Sequence, residues 1–390
     1  MSKLLTKDIS RKALSLHRKL KGKIMVVSKI RNLKPYDMQL IYTPGVAAVS
    51  EEIFHHPNQK YFLTSKANNV AIVTDGTRIL GLGNIGPYAA LPVMEGKAVL
   101  YKVFGGIDAF PICLNTTKKE HIITTIQAIE PVFGAINLED IQSPKVMEIS
   151  DELEKTLSIP VFHDDRHGTS VVALAALLNS IRLVKKQLSS IKIVIAGAGS
   201  AGYGICKLLK FAGCHNIIVV DSDGAIYNGR VGDMNKYKKE IAKSTNHKKE
   251  RGQLSEVLKN SDVFIGVSGV KNLLTSKMIQ NMNKDPIIFA LTNPEPEINP
   301  KLAKKAGAKI IATGSYMYHN KVNNALVFPH LMRSILDRRI KKISLDLLLV
   351  TAKAIAKTVS DRELDYDHII PEMTDKRVQK NISLALSKLK

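Results

Sequence analysis

A glycine-rich turn between two short apolar runs is the feature that most narrows the fold of this chain. The run IKIVIA at 191–196 leads into GAGSAG at 197–202, and the second run, NIIVVD, ends at Asp221. A strand, a glycine turn that opens a helix, and an acidic residue about 20 positions later form the fingerprint of a dinucleotide-binding βαβ unit. The helix N-terminus offers free amide groups to a pyrophosphate, and Asp221 can accept hydrogen bonds from a ribose. The residues expected to bind the cofactor are Gly197, Ala198, Gly199, Ser200, Ala201, Gly202 and Asp221.

The residue types around Asp221 bear on which dinucleotide binds. A carboxylate here repels the 2′-phosphate of NADP, and the next residue, Ser222, is not the arginine that would accept that phosphate. The sequence therefore favours NAD. NADP remains the alternative, because a lysine brought close by the fold would supply the missing positive charge.

Length and hydrophobic patterning extend this unit to a two-domain α/β chain. The chain has 390 residues, 45% of them hydrophobic, which suits about two packed domains and is too apolar for a disordered protein. After residue 191, short apolar runs alternate with helical segments, which indicates a parallel sheet with helices on both faces. We expect a mixed α/β domain at 1–160, a Rossmann-like doubly wound parallel-sheet domain at 161–335, and C-terminal helices at 336–390 that pack back on the core.

The net charge of +22 is the one composition value that suggests another class of protein. A basic chain can bind nucleic acid, so a nucleic-acid-binding protein is the alternative from outside the enzymes. The lysines are scattered through surface-like segments, however, and the chain has no tryptophan and only 5% aromatic residues for stacking on bases. A solvated basic surface is the favoured interpretation, and nucleic acid is not an expected partner.

The chain offers no sequence signal for secretion or membrane insertion. No apolar stretch approaches the roughly 20 residues of a spanning helix, and the basic N-terminal segment lacks the apolar run of a signal peptide. The three cysteines, Cys113, Cys206 and Cys214, have neither CxxC spacing nor an even count. We expect a cytoplasmic protein with reduced thiols and no membrane partner.

A second glycine run, GLGNIG at 81–86, has the same spacing but a different context. Pro87 and Pro92 follow it closely, and proline disfavours a helix beyond its first turn. We therefore expect a glycine-rich loop near a site here and no second nucleotide fingerprint.

Two pairs of acidic residues follow apolar runs in positions typical of ligand sites. Glu139 and Asp140 come after VFGAINL, and Asp164 and Asp165 come after IPVFH. Carboxylates at the ends of buried strands are where α/β proteins bind ligands, and an all-oxygen set suits Mg²⁺ or Mn²⁺. Capping of the following helices is the alternative for each residue taken singly.

Lys97, Tyr42 and two histidines carry weaker signals. Lys97 lies in the apolar stretch VMEGKAVLYKVF, where a lowered pKa would let it act as a base, although an exposed strand-edge lysine has the same pattern. Tyr42 precedes a Pro-Gly turn, and a half-buried core tyrosine is its alternative. His163 and His167 are four residues apart without an HEXXH motif, so we expect them to be structural or to support neighbouring ligand residues.

Eight segments in order along the chain resemble one enzyme family, the malic enzymes, and specifically their compact bacterial and archaeal type. The segments are YTPGVA (42–47), DGTRILGLGNIGP (75–87), PVMEGKAVL (92–100), INLEDI (136–141), FHDDRHGT (162–169), GAGSAG (197–202), LTNP (291–294) and VNNALVFP (322–329). One departure is Arg166, where many compact members have glutamine.

The resemblance implies a role for each matching residue. Tyr42 would be the general acid, Lys97 the general base, and Asp164 a residue that orients Lys97. The metal ligands would be Glu139, Asp140 and Asp165. The residues for the substrate carboxylates would be Arg78, Asn293 and Asn323, with Asn293 also beside the cofactor.

The implied activity is oxidative decarboxylation of (S)-malate to pyruvate and CO₂, with NAD or NADP and Mg²⁺ or Mn²⁺. Decarboxylation of oxaloacetate would accompany it, and a homodimer is the implied assembly. Two enzyme alternatives stay open. A malolactic enzyme would convert malate to lactate with bound NAD, and an amino-acid dehydrogenase of the same two-domain plan would need no metal.

Overall fold

The protein contains two β-sheets surrounded by helices, in a computed structural model that describes residues 2–315 and 317–389. The first sheet has the order β2-β1-β3-β4 and the second has the order β10-β9-β8-β5-β6-β7. The strands of the first sheet are β1 (Asn69–Thr74), β2 (Asp108–Cys113), β3 (Ala135–Leu138) and β4 (Val161–His163). Those of the second are β5 (Lys192–Ala196), β6 (Asn216–Asp221), β7 (Gly224–Ala225), β8 (Val263–Gly266), β9 (Ile287–Ala290) and β10 (Ile310–Thr313). The strands are parallel except for the short edge strand β7, which is antiparallel to β6. The expected doubly wound α/β fold is confirmed.

Sixteen α-helices occur in the described part of the chain. They are α1 (Ser2–Leu20), α2 (Pro35–Ile41), α3 (Val46–His55), α4 (Lys60–Leu63), α5 (Gly86–Gly105), α6 (Lys119–Ile129), α7 (Lys145–Thr156), α8 (Thr169–Leu183), α9 (Ser200–Phe211), α10 (Lys236–Ser244), α11 (Leu254–Val257), α12 (Ser276–Gln280), α13 (Pro300–Lys305), α14 (Phe328–Arg338), α15 (Leu345–Ala356) and α16 (Arg377–Leu386). None of them is both long and apolar enough to cross a bilayer.

The first sheet is wholly parallel, so the segments that follow its strands emerge at one edge. The last residue of β3, Leu138, pairs in register with the last residue of β4, His163. Strand β1 pairs with β3 on the other side. The acidic pairs that follow β3 and β4 are therefore neighbours. The boundary expected after residue 160 falls just before β4, the last strand of this sheet.

Helix α5 corrects the interpretation of the first glycine run. A helix of 20 residues begins at Gly86, directly after the run, with Pro87 in its first turn and Pro92 inside it. Proline costs little at the first position because the N–H that it lacks has no partner there. The expectation of a loop without a helix was wrong. The helix carries Lys97 on its buried face, so Lys97 is not a strand-edge lysine.

The core extends between the two sheets through the buried helix α8. Twelve of its fifteen residues are buried, and it packs against α9 and α15. Helix α14 packs against α5 and α16, so the C-terminal helices lie back on the core as expected. The three cysteines are free thiols.

The N-terminal segment, residues 21–55, is much more exposed than the core. No residue of α2 or α3 is buried, and Val26 and Phe54 are 90% and 80% exposed. Lys23 attaches the segment to helix α5: its Nζ donates to the carbonyl of Pro92 at 2.6 Å, and its backbone N–H donates to Oε2 of Glu95 at 3.1 Å.

Candidate active site

A buried lysine between two carboxylates forms the centre of the candidate site. Lys97 Nζ lies 2.7 Å from Oε2 of Glu139 and 2.8 Å from Oδ2 of Asp164. Glu139 follows β3 and Asp164 follows β4, so the register of the first sheet brings both acids to the helix that carries the lysine. The structure thus brings together three of the residues selected from the sequence.

The environment of Lys97 keeps it protonated in this arrangement. Burial alone would lower the pKa of Lys97, but the charges of Asp164 and Glu139 raise it above its ordinary value. The ammonium group also lies 4.0 Å from the centre of the Phe328 ring. The sequence predicts a lowered pKa for Lys97, and that is not found, because the apolar stretch around it did not reveal two adjacent carboxylates.

Asp140 and Asp165 complete the acidic edge of the sheet. The backbone N–H of Arg78 donates to the carbonyl of Asp140 at 3.0 Å, and Nη1 of Arg78 lies 3.3 Å from Oδ2 of Asp165. Asp140 has a left-handed backbone with φ of 50°. Burial raises the pKa of Asp140 to about 7, and the negative charge of Asp165 adds to this effect. Arg78, expected to bind substrate, therefore lies beside the acids.

The four acids fit a divalent cation by their charge and chemistry. Four carboxylates face two cations, Lys97 and Arg78, at one edge of the sheet. Oδ1 of Asp164 is buried without a hydrogen-bond partner. All donors are oxygens, as Mg²⁺ and Mn²⁺ prefer. Within residues 2–315 and 317–389, however, no group of three Asp, Glu, His or Cys side chains already surrounds one point. Glu139 and Asp165 instead turn to Lys97 and Arg78.

The second glycine run forms the turn that the fingerprint predicts. Strand β5 ends at Ala196, and Gly197 adopts φ of 116°, where an added Cβ would lie 2.7 Å from the Val267 carbonyl. Helix α9 begins at Ser200. The turn lies where the strand order reverses between β5 and β8, which is the usual place for a dinucleotide in such a sheet.

Asp221 ends β6 as expected, but its carboxylate is already engaged. Arg230 binds both oxygens, at 2.7 and 2.6 Å, and Lys238 Nζ lies 2.9 Å from Oδ2. Burial would raise the pKa of Asp221, but hydrogen bonds from Arg230 and Lys238 hold it below its usual value. The sequence did not reveal these two cations, because they lie 9 and 17 positions further on, across an irregular loop.

The asparagines near the second sheet divide into two groups. Asn323 Nδ2 donates to the carbonyl of Gly314 at 3.1 Å, and a Cβ added to Gly314 would lie 2.7 Å from the amide nitrogen of Asn293. Asn324, which was not selected, donates from Nδ2 to Oδ2 of Asp164 at 3.0 Å. Of the two adjacent asparagines in the VNN segment, the structure therefore joins the second to the acids around Lys97. The motif named both residues, and only the fold distinguishes their directions.

Tyr42 is the one expected catalytic residue that stands apart. Tyr42 is 68% exposed at the end of α2, and in the described part of the chain its hydroxyl has no hydrogen-bond partner. The structure of a single chain does not bring Tyr42 to Lys97.

His163 and His167 lie behind the acids and contact each other. The backbone N–H of His163 donates to Nδ1 of His167 at 3.2 Å, and both side chains are buried. Burial, with the charge of Arg166 adding, lowers the pKa of His163 to about 3, so the ring is neutral. Both features agree with the structural role expected from the sequence.

The acidic turn and the nucleotide helix touch directly. Residues 164–168 form a π-helical turn, and α9 packs against it at Gly204, where an added Cβ would lie 2.2 Å from the Arg166 carbonyl. Arg166 also pairs with Asp151 at 3.1 Å and stacks over Tyr203. The turn that carries Asp164 and Asp165 therefore packs directly on the helix that follows the glycine turn.

The fold and the site define a two-domain protein with a dinucleotide turn beside a carboxylate cluster that surrounds a lysine. The chain belongs to the malic enzyme family. The family model described as the malic enzyme NAD-binding domain matches residues 167–389, and the model described as the malic enzyme N-terminal domain matches residues 20–122.

Relatives and solved structures agree with this family. The chain is 49% identical to a bifunctional malic/malolactic enzyme of Bacillus subtilis, over 98% of this chain and 93% of that protein. It is 40% identical to an NADP-dependent malic enzyme of Escherichia coli, over 98% of this chain and 52% of that protein. The crystal structure of an NAD-dependent malic enzyme of Thermotoga maritima superposes with a TM-score of 0.93 at 45% identity, over 96% of this chain and 99% of that one.

Proposed function

We propose that this malic enzyme catalyses oxidative decarboxylation of (S)-malate: malate and NAD(P)⁺ give pyruvate, CO₂ and NAD(P)H, with a divalent metal ion. The observation that carries the proposal is the position of Lys97, within 2.8 Å of two carboxylates, one of which belongs to the turn that packs on helix α9. We also propose the division into a catalytic domain at 1–160, a dinucleotide domain at 161–335 and C-terminal helices at 336–390.

Lys97 would take the proton from the C2 hydroxyl of malate at its Nζ. Glu139, Asp140 and Asp165 would hold Mg²⁺ or Mn²⁺, and Asp164 would keep Lys97 oriented. When bound, the metal ion would polarise the C2 oxygen and offset the negative charges that now raise the pKa of Lys97. Arg78, Asn293 and Asn323 would bind the substrate carboxylates. Tyr42 would donate the proton that C3 needs after CO₂ leaves.

The activity test is a malate-dependent absorbance assay with NAD and NADP in parallel, with and without Mn²⁺. We expect reduced dinucleotide to accumulate only when malate and metal are both present. Turnover that survives complete chelation by EDTA would contradict the metal assignment. Oxaloacetate should be decarboxylated by the same protein under the same metal requirement.

Malolactic conversion is the second candidate function. It is supported by the Bacillus subtilis relative, whose name includes both activities. The two functions differ in their products: free NADH and pyruvate for one, lactate without net NADH for the other. Measuring lactate and NADH in one malate incubation distinguishes them.

A homodimer in which the N-terminal segments cover each other is the proposed assembly. Helices α2 and α3 bury none of their residues, and apolar side chains such as Val26 and Phe54 are exposed, which is unusual for a surface without a partner. Tyr42 lies on this exposed surface. We propose that it serves the Lys97 of the second copy.

Mixing two inactive variants tests the shared site. In a heterodimer of Tyr42→Phe with Lys97→Ala, one of the two sites would combine an intact tyrosine with an intact lysine. Random mixing makes half of all dimers mixed, so activity should recover to about a quarter of the native value. No recovery in dimers that demonstrably exchange subunits would mean that Tyr42 serves its own chain.

Cofactor use is proposed as NAD first, with NADP accepted. Asp221 disfavours a 2′-phosphate by its charge, but Arg230 and Lys238 bind this carboxylate and would also attract a phosphate. We propose a cytoplasmic location, with which the three free thiols agree.

A further inference from the structure

Glu139 and Asp164 each use one carboxylate oxygen to bind two groups. That oxygen accepts from Lys97 and from the side-chain amide of an asparagine. Oε2 of Glu139 accepts from Lys97 and from Asn137 Nδ2, the latter at 3.0 Å. Oδ2 of Asp164 accepts from Lys97 and from Asn324 Nδ2, also at 3.0 Å. Each asparagine–carboxylate pair is called an arm of Lys97 below. The two arms are alike, and in each the second carboxylate oxygen does not contact Lys97.

A hydroxyl group stands behind each asparagine. Tyr101 donates to Oδ1 of Asn137 at 2.6 Å, and Thr169 donates to Oδ1 of Asn324 at 3.1 Å. A carboxamide has one acceptor end and one donor end, so a donor on its oxygen turns its NH₂ group the other way. In both arms that NH₂ group then faces the carboxylate.

The arm through Tyr101 is the more completely enclosed of the two. Tyr101 and Asn137 are both fully buried, and the Tyr101 ring packs on Phe328 with ring centres 4.8 Å apart. Burial raises the pKa of Tyr101 well above its usual value, and the charges of Asp164 and Glu139 add to this. The phenol therefore stays protonated and remains a donor to Asn137.

We propose that Tyr101 is a positioning residue that acts through Asn137 on Glu139. It keeps Oε2 of Glu139 directed at Lys97, which leaves Oε1 available to a divalent cation. No hydrogen bond or ion pair within residues 2–315 and 317–389 reaches that Oε1 atom. The inference rests on the proposed function, because it assigns Glu139 to the metal.

A purely structural tyrosine would have the same burial but different consequences. Tyr101→Phe keeps the ring on Phe328 and removes only the hydroxyl. If the residue served packing alone, this variant would bind metal like the native protein. If it acts through Asn137, the amide loses the group that fixes its direction, and Glu139 loses a defined orientation.

The test is a double-mutant cycle on metal binding. The dissociation constant of Mn²⁺ is measured by electron paramagnetic resonance in native protein, Tyr101→Phe, Asn137→Ser and the double variant, without malate. Removing a group that orients a metal ligand weakens metal binding by about 10-fold. We expect each single variant to lose about this much Mn²⁺ affinity. The double variant should bind Mn²⁺ no more weakly than the weaker-binding single variant, since both changes break the same chain of contacts.

Tyr237→Phe is the matched control. Tyr237 is also buried, and its hydroxyl donates at 2.9 Å to Asp151, which keeps Arg166 and Lys236 as other partners. We expect unchanged Mn²⁺ binding in this variant, and melting temperatures are recorded for all five proteins. Full native affinity in Tyr101→Phe, additive losses in the cycle, or an equal loss in Tyr237→Phe would overturn the inference. Should Asn137→Ser fail to fold, Tyr101→Phe against Tyr237→Phe still decides the question.

The same measurements separate this inference from the proposed function. If native protein oxidises malate with metal but the losses of Mn²⁺ affinity in the cycle are additive, only the role of Tyr101 is overturned. Native protein that binds Mn²⁺ with the expected coupling but never oxidises malate overturns the proposed reaction and supports the role of Tyr101 in metal binding.

Discussion

Two clusters of acids and cations lie at the carboxyl ends of parallel strands, and they differ in what they leave free. At the first sheet, four carboxylates face Lys97 and Arg78, so negative charge is in excess. At the second sheet, Asp221 is held by Arg230 and Lys238, and both of its oxygens are engaged. The same residue types thus leave carboxylates in excess of cations at one sheet and a carboxylate with both oxygens paired at the other.

The largest expected effect is at the lysine of the first cluster. Lys97→Ala should lower turnover by several orders of magnitude, since it removes the proposed base, while leaving the affinity for NAD near normal. Steady-state kinetics and a separate NAD titration measure the two effects.

Lys102→Ala is the control for that variant. Lys102 belongs to the same helix, but it is exposed and pairs with Asp108 at 2.7 Å. Its replacement should leave turnover within about twofold, as usual for a surface ion pair. Loss of NAD binding in Lys97→Ala would mean that the two clusters are not separate in function.

A smaller effect is expected in the second cluster. Asp221→Ala should weaken NAD and narrow its advantage over NADP, while Lys238→Met should weaken NADP more than NAD. Each change should alter the ratio of kcat/KM values by about 10-fold, the size of one lost charge-assisted contact. Lys236→Met is the control, because Lys236 pairs with Asp151 instead. An unchanged ratio in both variants would remove this cluster from cofactor choice.

The smallest expected effect is on the stability of the fold at acidic pH, through the ion pairs of Asp221. The pKa of Asp221 is lowered in the folded protein, so its ion pairs stabilise the fold at neutral pH and this contribution is lost as the pH falls through that lowered pKa. Asp221→Asn should be less stable than native protein by about 1–2 kcal/mol at pH 7. The difference in stability should begin to shrink as the pH falls below about 4 and should be gone once the pH is below the lowered pKa of Asp221. Thermal unfolding across pH measures this, and a gap that persists at low pH would contradict the explanation.

The sequence was most informative where one local pattern specifies one local structure. The run from 191 to 221 predicted a strand, a turn, a helix and an acidic end, and all of them are present. It was less informative where long-range contacts decide. Pro92 lies inside a helix that the sequence disfavoured, and the pairs of Arg230 and Lys238 with Asp221 cross an irregular loop. The direction of the Asn324 amide and the hydrogen bond from Tyr101 to Asn137 also depend on packing between distant segments.

The close contact between Gly204 and the Arg166 carbonyl limits how this molecule can move. Backbone meets backbone there, with no side chain between them to adjust its rotamer. The turn with Asp164 and Asp165 and the start of the nucleotide helix must therefore travel together as one rigid unit. The distance between the acids of this turn and the glycine turn at 197–202 is therefore fixed by backbone packing and not by adjustable side chains.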